Sequence, residues 1–534
     1  MGLMAKLAPG YAVKREIAKM QYQALTLTQS ENRTETRWRG ASRVLRHMVS
    51  WLPTLGSGRS DLPRTERETL YSRSYDAYRN HMIARAAITR PRTNIVGTGL
   101  IAHAAIDARA LGISDEQAEE LDEIIDAQFA TWADSPSECD AEATLDFYGQ
   151  QSLALVSSML AGDTFALTPF YEMPRGLWGL KLQLVDAARV SNPNRMPDTS
   201  TLIDGVEMDP LGRPIRYHVQ NRHPGDRTID MPIDRWTPIQ VFDAIGRRRA
   251  FHIWNDKDRI NAVRGAPFLA PILEPLQTLE TYSRAELVAA VVSALFTVFV
   301  KKDKEATDEL GNPLATFTSG AVTQNGQAVE PPQLELGTGA IVDLAPGETI
   351  ETADPGRPNA KYDPFFLSIV KQIGASLEIP LDELMLHYQA SYSAARAAML
   401  QAWRWYSMRR WALVQQFCAP ARALWFDEAV ARGRIPVTGY ADPIRRAAYQ
   451  QAMWVGPSRG SMDEQKEAAA ARERIGIGIS NETIETAAMM GENWRVVHRT
   501  RVRERRIMKR DSIKNGNGQA VLPEPGEDGN GGEA

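Results

Sequence analysis

Apolar residues recur at helical spacing in the first third of the chain and predict three helices there. Ser114 opens a capping box, SDEQ, and the apolar residues between Ala118 and Trp132 fall on one face of the helix that follows. A second helix is expected over about 144–161. Upstream of both, a helix is predicted from about 76 to 90. It is expected to end before Pro91, because the residue before a proline avoids helical angles.

Residues 163–255 show a different period, in which apolar and polar positions alternate. The strings LKLQLV, PIRYHV, PIQVFDAI and FHIW are typical of short strands, and turns rich in proline, glycine and asparagine separate them. Together with the preceding helices, they predict a mixed α+β domain over 61–263. Residues 1–60 form an Arg-rich N-terminal arm before this domain.

Two apolar helical patterns then enclose a polar, turn-rich segment. Residues 264–302 predict a long helix or a proline-broken pair, and 346–379 predict a second helix with its lead-in, which begins with Asp363 as the N-cap. Between them, 303–345 contains turn strings such as LGNP and TQNG and predicts a small β-rich insertion. Residues 380–391 are expected to form a loop.

A long helix is predicted over 392–435, with a near-heptad apolar seam whose small alanines permit close helix packing. Shorter helices are expected over 436–510, one of them opened by a capping box at Ser461. The tail, 511–534, is too poor in apolar residues to fold alone and is predicted to be disordered.

The long helix also interleaves tryptophan with arginine, at Trp403, Trp405 and Trp411 and at Arg404, Arg409 and Arg410. Aromatic and basic residues in alternation are typical of surfaces on which nucleic-acid bases stack. The alternative is that the tryptophans are packing anchors of a helix wedged between neighbours. We favour packing and keep the stacking hypothesis open.

Charge is almost balanced overall and uneven locally. The formal net charge is −4, which is not the strongly basic balance typical of a nucleic-acid-binding domain. Residues 1–100 nevertheless carry 17 basic against 7 acidic residues, and 495–510 carry 8 basic residues against Glu504 alone. The second patch is either a solvated face or a surface that binds phosphate or a partner.

Several chemical functions are not supported by the motifs present. Gly97, Gly99 and Ala102 have the spacing of a dinucleotide-binding turn, but a helical pattern precedes them and a strand pattern follows. A pyrophosphate turn needs the reverse order, so a structural turn is favoured. There is no P-loop and no nucleophile elbow, and Asp256 and Asp258 are more consistent with a turn than with a cation site. We therefore expect no catalytic residue, cofactor or metal.

The cysteines and the hydropathy of the chain indicate its redox compartment and whether it contains a membrane helix. Cys139 and Cys418 are far apart, which fits a reducing compartment and excludes a disulfide framework. The longest apolar run, Leu287–Val300, is shorter than the roughly 20 residues of a membrane helix. No membrane partner is expected.

Several long strings, in order from about residue 70 to 510, resemble the lambda-type portal proteins of tailed bacteriophages. They are NIVGTGL, VRGAPFLAPILEPLQTLETYSRAELVAAVVSA, YSAARAAMLQAWRWYSMRR and MWVGPSRGSMDEQKEAAAARERIGIGISNETIETAAMMGENW. The resemblance implies an α+β portal fold with a mixed wing domain, a two-helix stem, a small clip, a tunnel loop, a long spine helix and a helical crown. In our numbering these are 61–263, 264–302 with 346–379, 303–345, 380–391, 392–435 and 436–510.

The same resemblance implies a homododecameric ring at one capsid vertex, through which double-stranded DNA is packaged and ejected. The implied partners are major capsid and scaffold proteins, the terminase large subunit, and later the head–tail connector protein. The protein would then be found in the virion and, during assembly, in the host cytoplasm. The energy for packaging DNA would come from the terminase, which agrees with the absence of a P-loop motif in this sequence.

The resemblance also suggests roles for individual residues. Candidates for facing the channel from the tunnel loop are Asp382, Glu383, His387 and Gln389. Candidates for subunit packing are Ala395, Met399, Ala402, Trp403 and Tyr406. The basic patch of the crown, which could touch packaged DNA, comprises Arg495, Arg499, Arg501, Arg503, Arg505 and Arg506.

Two other classes of function remain as alternatives. A monomeric or dimeric nucleic-acid-binding protein would account for the basic ends and the Trp/Arg helix, and it predicts salt-dependent binding to free DNA without a ring. A dinucleotide-dependent enzyme would rest on Gly97 and Gly99 alone, and it predicts thermal stabilisation by the cofactor.

Overall fold

The computed structural model describes residues 48–51, 53, 56–226, 235–295, 299–302, 322–324, 327–329, 348–351, 361–388, 391–460 and 463–514. Most of the predicted arm, most of the predicted clip, Gln389, Ser461 and the end of the predicted tail lie outside these residues.

The helices of the described residues are numbered here in chain order. They are α1 (Arg64–Asn80), α2 (Met82–Ile95), α3 (Ala108–Leu111), α4 (Asp115–Ala133), α5 (Pro136–Cys139), α6 (Phe147–Ala161), α7 (Leu273–Leu295), α8 (Tyr362–Ser376), α9 (Leu381–Met385), α10 (Tyr392–Leu413), α11 (Ala419–Ala431), α12 (Pro443–Tyr449), α13 (Glu464–Gly476), α14 (Glu482–Met490) and α15 (Trp494–Lys514).

The strands of the described residues are short and antiparallel. They are β1 (Ile101–Ala104), β2 (Asp163–Leu167), β3 (Gln183–Val185), β4 (Leu202–Ile203), β5 (Val206–Met208), β6 (Pro214–Gln220), β7 (Trp236–Gln240), β8 (Ala250–Trp254), β9 (Phe299–Lys302), β10 (Val322–Gln324), β11 (Gln327–Val329), β12 (Glu348–Glu351) and β13 (Ala452–Val455).

Two small sheets confirm the strand-rich prediction for 163–255. The first has the order β3-β2-β8, with Phe165 opposite both Val185 and His252. The second is a meander in the order β4-β5-β6-β7. The sheets and the helices around them confirm a mixed helix and sheet fold, as expected from the change of hydrophobic period.

By contact the chain divides into two units. One joins the described residues up to Pro63 with Asp258–Val263, and inside it Arg259 bonds to the carboxylate of Asp61 and the carbonyl of Gly56. The other contains Arg64–Lys257 and the chain from Arg264 onward. The elements described above belong to this second unit.

One apolar core runs through the second unit, and aromatic side chains form its centre. Phe129 and Trp132 of α4 meet Phe147 of α6, and Trp425 of α11 packs edge-on against Phe129 at 4.9 Å between ring centroids. These four side chains are at most 3% exposed. The face of α4 that was predicted from its periodicity is therefore the face that packs into the core.

A buried network of charges joins the two small sheets to the start of the segment that leads to α7. The guanidinium of Arg264 donates to both carboxylate oxygens of Asp163, over 2.8 and 2.9 Å, and to the carbonyls of Ala187, Val190 and Asp204. Arg67 of α1 binds the Asp204 carboxylate, which lies 3.4 Å from Arg264.

The charges in this network stabilise one another. Burial alone would raise the pKa of the Asp163 carboxyl, but Arg264 and His252 outweigh it and hold that pKa well below its usual range. The pKa of Arg264 is raised, because Asp163 and Asp204 together outweigh the cost of burying the guanidinium. Each charge is therefore paired and hydrogen-bonded, as a buried charge must be.

The glycine after Arg264 lets two backbone segments touch. A Cβ on Gly265 would lie 2.1 Å from the carbonyl oxygen of Gly162, and a Cβ on Gly162 would lie 2.2 Å from that of Gly265. Gly162 also has φ +95° and ends α6. This mutual approach requires glycine on both sides, and it explains the RG pair in the string VRGAPF.

The predicted stop before Pro91 is wrong. Helix α2 continues through Pro91 to Ile95, and Pro91 is buried on its inner face beside Ile88. An interior proline costs a helix about 3 kcal/mol. We attribute the continuation to packing of the apolar residues on both sides of Pro91, which outweighs that cost.

The boundaries of the predicted stem segments need correction. Within 264–302 the α-helix covers only Leu273–Leu295, and Phe299–Lys302 is a strand paired with Glu348–Glu351. The second helix begins at Tyr362, so Asp363 lies in its first turn and Lys361 is the N-cap. The four residues FVKK are too few for their period to distinguish a strand from a helix end.

Further along the chain, the predicted loop 380–391 contains the short helix α9. The long helix runs as expected from Tyr392 to Ala431, but a π-helical turn over Val414–Cys418 divides it into α10 and α11. Pro420, which has no N–H to donate, follows that turn, and such turns relieve an interrupted hydrogen-bond ladder.

The segment predicted as a helical crown, 436–510, is not purely helical. Strand β13 pairs antiparallel with β1, placing Val455 opposite Ile101. Helix α13 is capped by Asp463, whose side chain accepts from the Lys466 N–H. Helix α15 extends to Lys514, so the first four residues of the predicted disordered tail are helical.

We expect Asp163→Asn to destabilise the chain by about 3–5 kcal/mol, because the substitution leaves Arg264 buried without a full counter-charge. Urea denaturation followed by circular dichroism measures the effect. Glu280→Gln, which breaks the exposed Glu280–Arg284 pair on α7, is the control and should cost less than about 1 kcal/mol. Equal midpoints for the two variants would contradict the proposed importance of the buried network.

Candidate functional site

The candidate site built from the sequence has two parts, the segment 380–388 and the outer faces of the helices. The first is held against the rest of the chain by the carboxylate of Glu383 on α9. It accepts hydrogen bonds from the side-chain amide of Asn94, at 2.6 Å, and from the hydroxyl of Tyr406, at 2.8 Å. Asn94 lies near the end of α2 and Tyr406 in the middle of α10, so one carboxylate joins three helices.

The surroundings of Glu383 shift its pKa above the ordinary value. Burial raises the pKa of the carboxyl, while Tyr406, Arg90 and Asn94 oppose that rise. The cavity beside it is about 230 Å³ and is lined by residues of all three helices, including Arg90, Asp382 and Tyr406. Burial of Tyr406 next to this carboxylate also raises the pKa of the phenol.

After α9 the segment turns outward. Leu386 has the left-handed φ of +52°, which ends the short helix. His387 and Tyr388 follow on the exposed side, and the Tyr388 side chain is 62% exposed. Of the four residues predicted to face a channel, His387 is exposed, Asp382 is partly exposed and Glu383 is directed into the chain.

The seam of α10 is largely used inside the chain. Ala395, Ala402 and Tyr406 are at most 7% exposed and belong to the chain's own buried residues, and Trp403 packs against the core. Their burial does not require a second subunit. Met399, at 38% exposed, is the member of this set that reaches the surface.

Two of the three tryptophans of α10 are packing anchors. Trp405 stacks on Phe268 with 5.5 Å between ring centroids. The guanidinium carbon of Arg409 lies 5.8 Å from the centroid of the Trp405 ring. Arg410 lies over Trp403 at 5.0 Å. These contacts favour the packing interpretation over base stacking for Trp403 and Trp405, while Trp411 is 66% exposed.

Arg410 also explains the NIVGTGL string. It donates to the carbonyls of Asn94 and Ile95, which end α2, and to that of Pro457. Burial lowers its pKa to about 10. A cation at a helix C-terminus satisfies carbonyls that the helix leaves unpaired.

The glycines of the same string are structural. A Cβ on Gly97, at φ +57°, would lie 2.5 Å from the Pro457 ring, and one on Gly99 would lie 2.6 Å from Tyr148. Helix α2 precedes them and β1 follows, which confirms the order predicted from the sequence. No helix N-terminus receives a phosphate here, so the arrangement does not support a dinucleotide site.

The basic patch lies on one helix, α15, and its members differ in their contacts. Arg495 pairs with Asp122 and Arg499 with Glu123, both over 2.7 Å, so these two bind α4 of the same chain. The remaining four are exposed and have no ion-pair partner among the described residues: Arg501, Arg503, Arg505 and Arg506.

The part of the chain that the structure describes offers no metal site. It contains no group of three or more His, Cys, Asp or Glu side chains that could hold an ion. Asp256 instead pairs with Arg409 over 3.8 Å. No described helix is long and apolar enough to cross a membrane.

Sequence reasoning missed the partners of Glu383 and the role of Arg264. Asn94 and Tyr406 are 289 and 23 residues away from Glu383, and no local pattern links them. Arg264 was visible only as part of a resembling string. A single buried arginine leaves no periodic signal in the sequence.

Comparison with known proteins identifies the class to which this arrangement belongs. The family described as "Phage portal protein, lambda family" matches residues 45–410. That match covers more than half of the chain. The protein belongs to the lambda family of phage portal proteins, as the resemblance in the sequence predicted.

Individual relatives have low sequence identity to this chain, but the matched regions cover most of both proteins. The chain is 23% identical over 446 residues to portal protein B of Escherichia phage lambda, covering 81% of this chain and 82% of that one. It is likewise 23% identical over 446 residues to the portal protein of Escherichia phage N15, covering 81% and 83%. None of these relatives is named as an enzyme.

Among solved structures, a chain from the "Neck of native GTA particle computed with C12 symmetry" is similar over 81% of this chain and 95% of its own, with 11% identity and a TM-score of 0.44. A chain of the "Virion of native gene transfer agent (GTA) particle" matches 71% of this chain and 91% of its own, with 13% identity and a TM-score of 0.35.

We expect Glu383→Gln to change how stability depends on pH. The folded chain holds the Glu383 proton more tightly than the unfolded chain, so wild-type stability falls as the pH rises above the unfolded pKa through the folded pKa. Glutamine keeps an oxygen acceptor for Asn94 and Tyr406 and has no charge to desolvate. The variant should match the wild type in acid and be more stable than the wild type at pH 7.

Thermal unfolding from pH 4 to 7 measures this difference. Asp382→Asn is the control, because no hydrogen bond joins Asp382 to Asn94 or Tyr406 in the described residues. A Glu383→Gln variant that matches the wild type in acid but becomes less stable than the wild type as the pH rises to 7 would contradict this account, because the carboxylate charge would then stabilise the folded chain.

Proposed function

We propose that this chain assembles into a closed homododecameric ring at one vertex of a phage capsid and that the ring is the channel for DNA packaging and ejection. Major capsid and scaffold proteins surround it during assembly in the host cytoplasm. The terminase large subunit docks first on the segment 303–345, and the head–tail connector later replaces it. Membership of the portal family supports this proposal.

The observation that carries the proposal is the apolar outer face of the stem and spine helices. On α7, Leu287, Val288 and Val291 are 54–66% exposed, and on α10, Met408 and Trp411 are 55% and 66% exposed. Large apolar patches on a monomer mark interaction sites. A ring built by rotation needs two different, complementary faces on each chain, and these helices supply apolar surface for them.

The segment 380–391 is proposed to face the channel. DNA must slide past it without being held, and each firm phosphate contact would add salt-dependent binding. Asp382, His387 and Gln389 remain the candidates for the lining, whereas Glu383 fixes the segment to α2 and α10. The exposed Tyr388 joins them as a candidate.

The test is the mass and shape of the purified full-length protein, by light scattering and negative-stain electron microscopy. We expect rings of about 700 kDa, from twelve chains of 59.4 kDa. Leu287→Asp should release folded monomers, since it places a charge in the apolar face of α7. Leu211→Asp is the matched control, because Leu211 is 92% exposed in a hairpin turn.

A wild-type monomer that binds free DNA tightly at low salt would contradict the ring and favour the nucleic-acid-binding alternative. A Leu287→Asp ring indistinguishable from the wild type would contradict the role of α7. In both cases circular dichroism verifies that the variants are folded.

A further inference from the structure

Helix α15 carries two separate rows of positive charge. At 100° per residue, five arginines lie within an arc of about 80° along one side, and they are Arg495, Arg499, Arg503, Arg506 and Arg510. A second row comprises Arg501, Arg505 and Lys509 and is centred about 120° around the helix from the first. The first row is called the paired row here, because its first two members bind α4 of the same chain.

Helix α4 has the complementary charge. It contains seven acidic residues and no Lys or Arg. Five of them are exposed on one broad face: Asp115, Glu116, Glu119, Glu120 and Glu123. Glu123 binds Arg499, whereas the other four have no ion-pair partner among the described residues.

The N-terminus of α4 accounts for only some of the negative charges on this helix. Asp115 and Glu116 lie in the first turn, where the helix N-terminus favours negative charge. Glu119 and Glu120 lie beyond that turn, so this effect does not compensate them. Glu119 and Glu120 each lie three or four residues from both Glu116 and Glu123, so these like charges repel one another unless cations lie opposite.

Within the described part of one chain, two ion pairs join α15 to α4. Arg495 and Arg499 are one turn apart on α15, but they bind Asp122 and Glu123, which are consecutive on α4. The helices therefore cross instead of running side by side. Beyond the crossing, all described residues from 503 to 510 are exposed, and no ion pair joins Arg503 or Arg506 to Glu119 or Glu120.

We infer that the paired row of α15 beyond the crossing binds the acidic face of α4 in an adjacent copy of the chain. The inference rests on the proposed ring and assigns one of its contacts. Arg503 and Arg506 would meet Glu119 and Glu120 of the neighbour, repeating between chains the Arg–carboxylate pairing seen within the chain. Such a contact is heterologous, as a closed ring requires.

Charge complementarity favours a second copy over DNA as the occupant of this row. Phosphates near the crossing would meet the uncompensated carboxylates of α4, whereas a second copy of α4 supplies carboxylates at helical spacing to a row of arginines. DNA binding by the same arginines is the competing outcome of the test.

The test compares ring assembly of charge-reversed full-length variants over a range of salt concentrations, by light scattering. We expect Arg503→Glu with Arg506→Glu to weaken association at each interface about tenfold or more at low salt. Glu119→Arg with Glu120→Arg should do the same. The combined four-residue exchange should restore assembly, because it re-forms both pairs with reversed sign.

The matched control is Arg501→Glu with Arg505→Glu, which changes the net charge equally on the second row of the same helix. It should leave assembly unchanged. If both arginine double variants form normal rings and lose DNA binding to the same extent, α15 is a DNA surface and the inference is overturned. A failure of the four-residue exchange to restore rings also overturns it.

These results are distinguishable from failure of the proposed function. Wild-type rings that are insensitive to the Arg503/Arg506 reversal contradict only the contact between α15 and α4. A wild-type protein that forms no ring at any salt concentration contradicts the ring and, with it, this contact. Circular dichroism of each variant separates loss of assembly from loss of folding.

Discussion

The fold depends on one buried arginine. Arg264 binds Asp163 at the start of β2, the carbonyls around Val190, and Asp204 next to the meander, so it joins the two small sheets at the point where the chain leaves for α7. A buried ion pair of this kind adds little net stability over an apolar replacement, but breaking it is costly. Its value here is positional, because it fixes the start of the segment that leads to α7 relative to both sheets.

Glu383 is a second polar residue that joins elements far apart in the chain. The carboxylate joins α9 to α2 and α10, and Arg410 ties α10 to the end of α2 through three carbonyls. These contacts hold the base of the segment 380–388 while Leu386, His387 and Tyr388 remain exposed. A segment that DNA is proposed to pass must be fixed at its base, since its exposed end has no core to hold it.

Much of this architecture could be predicted from the sequence, for physical reasons that also mark the limits. Long amphipathic patterns and the Ser114 capping box gave reliable helices, because burial of one face and satisfaction of the first N–H groups are local in the sequence. Short strands such as Phe299–Lys302 and Ala452–Val455 were missed, because four residues carry too little period to separate strand from helix. Pro91 was misjudged because tertiary packing outweighed a local rule. The partners of Glu383 and Arg264 were beyond prediction, because contacts between residues far apart in the chain depend on the assembled fold.

The central claim is that each chain folds around its own buried network and that assembly uses only faces left exposed. Hydrogen exchange measured on assembled rings and on chains released from them tests this most directly. We predict unchanged slow exchange in β2 and β8, which hold Asp163 and His252, and slower exchange in α7, α4 and α15 only when the ring is present. Loss of protection in β2 and β8 on release from the ring would contradict the claim, because the core would then depend on neighbouring subunits.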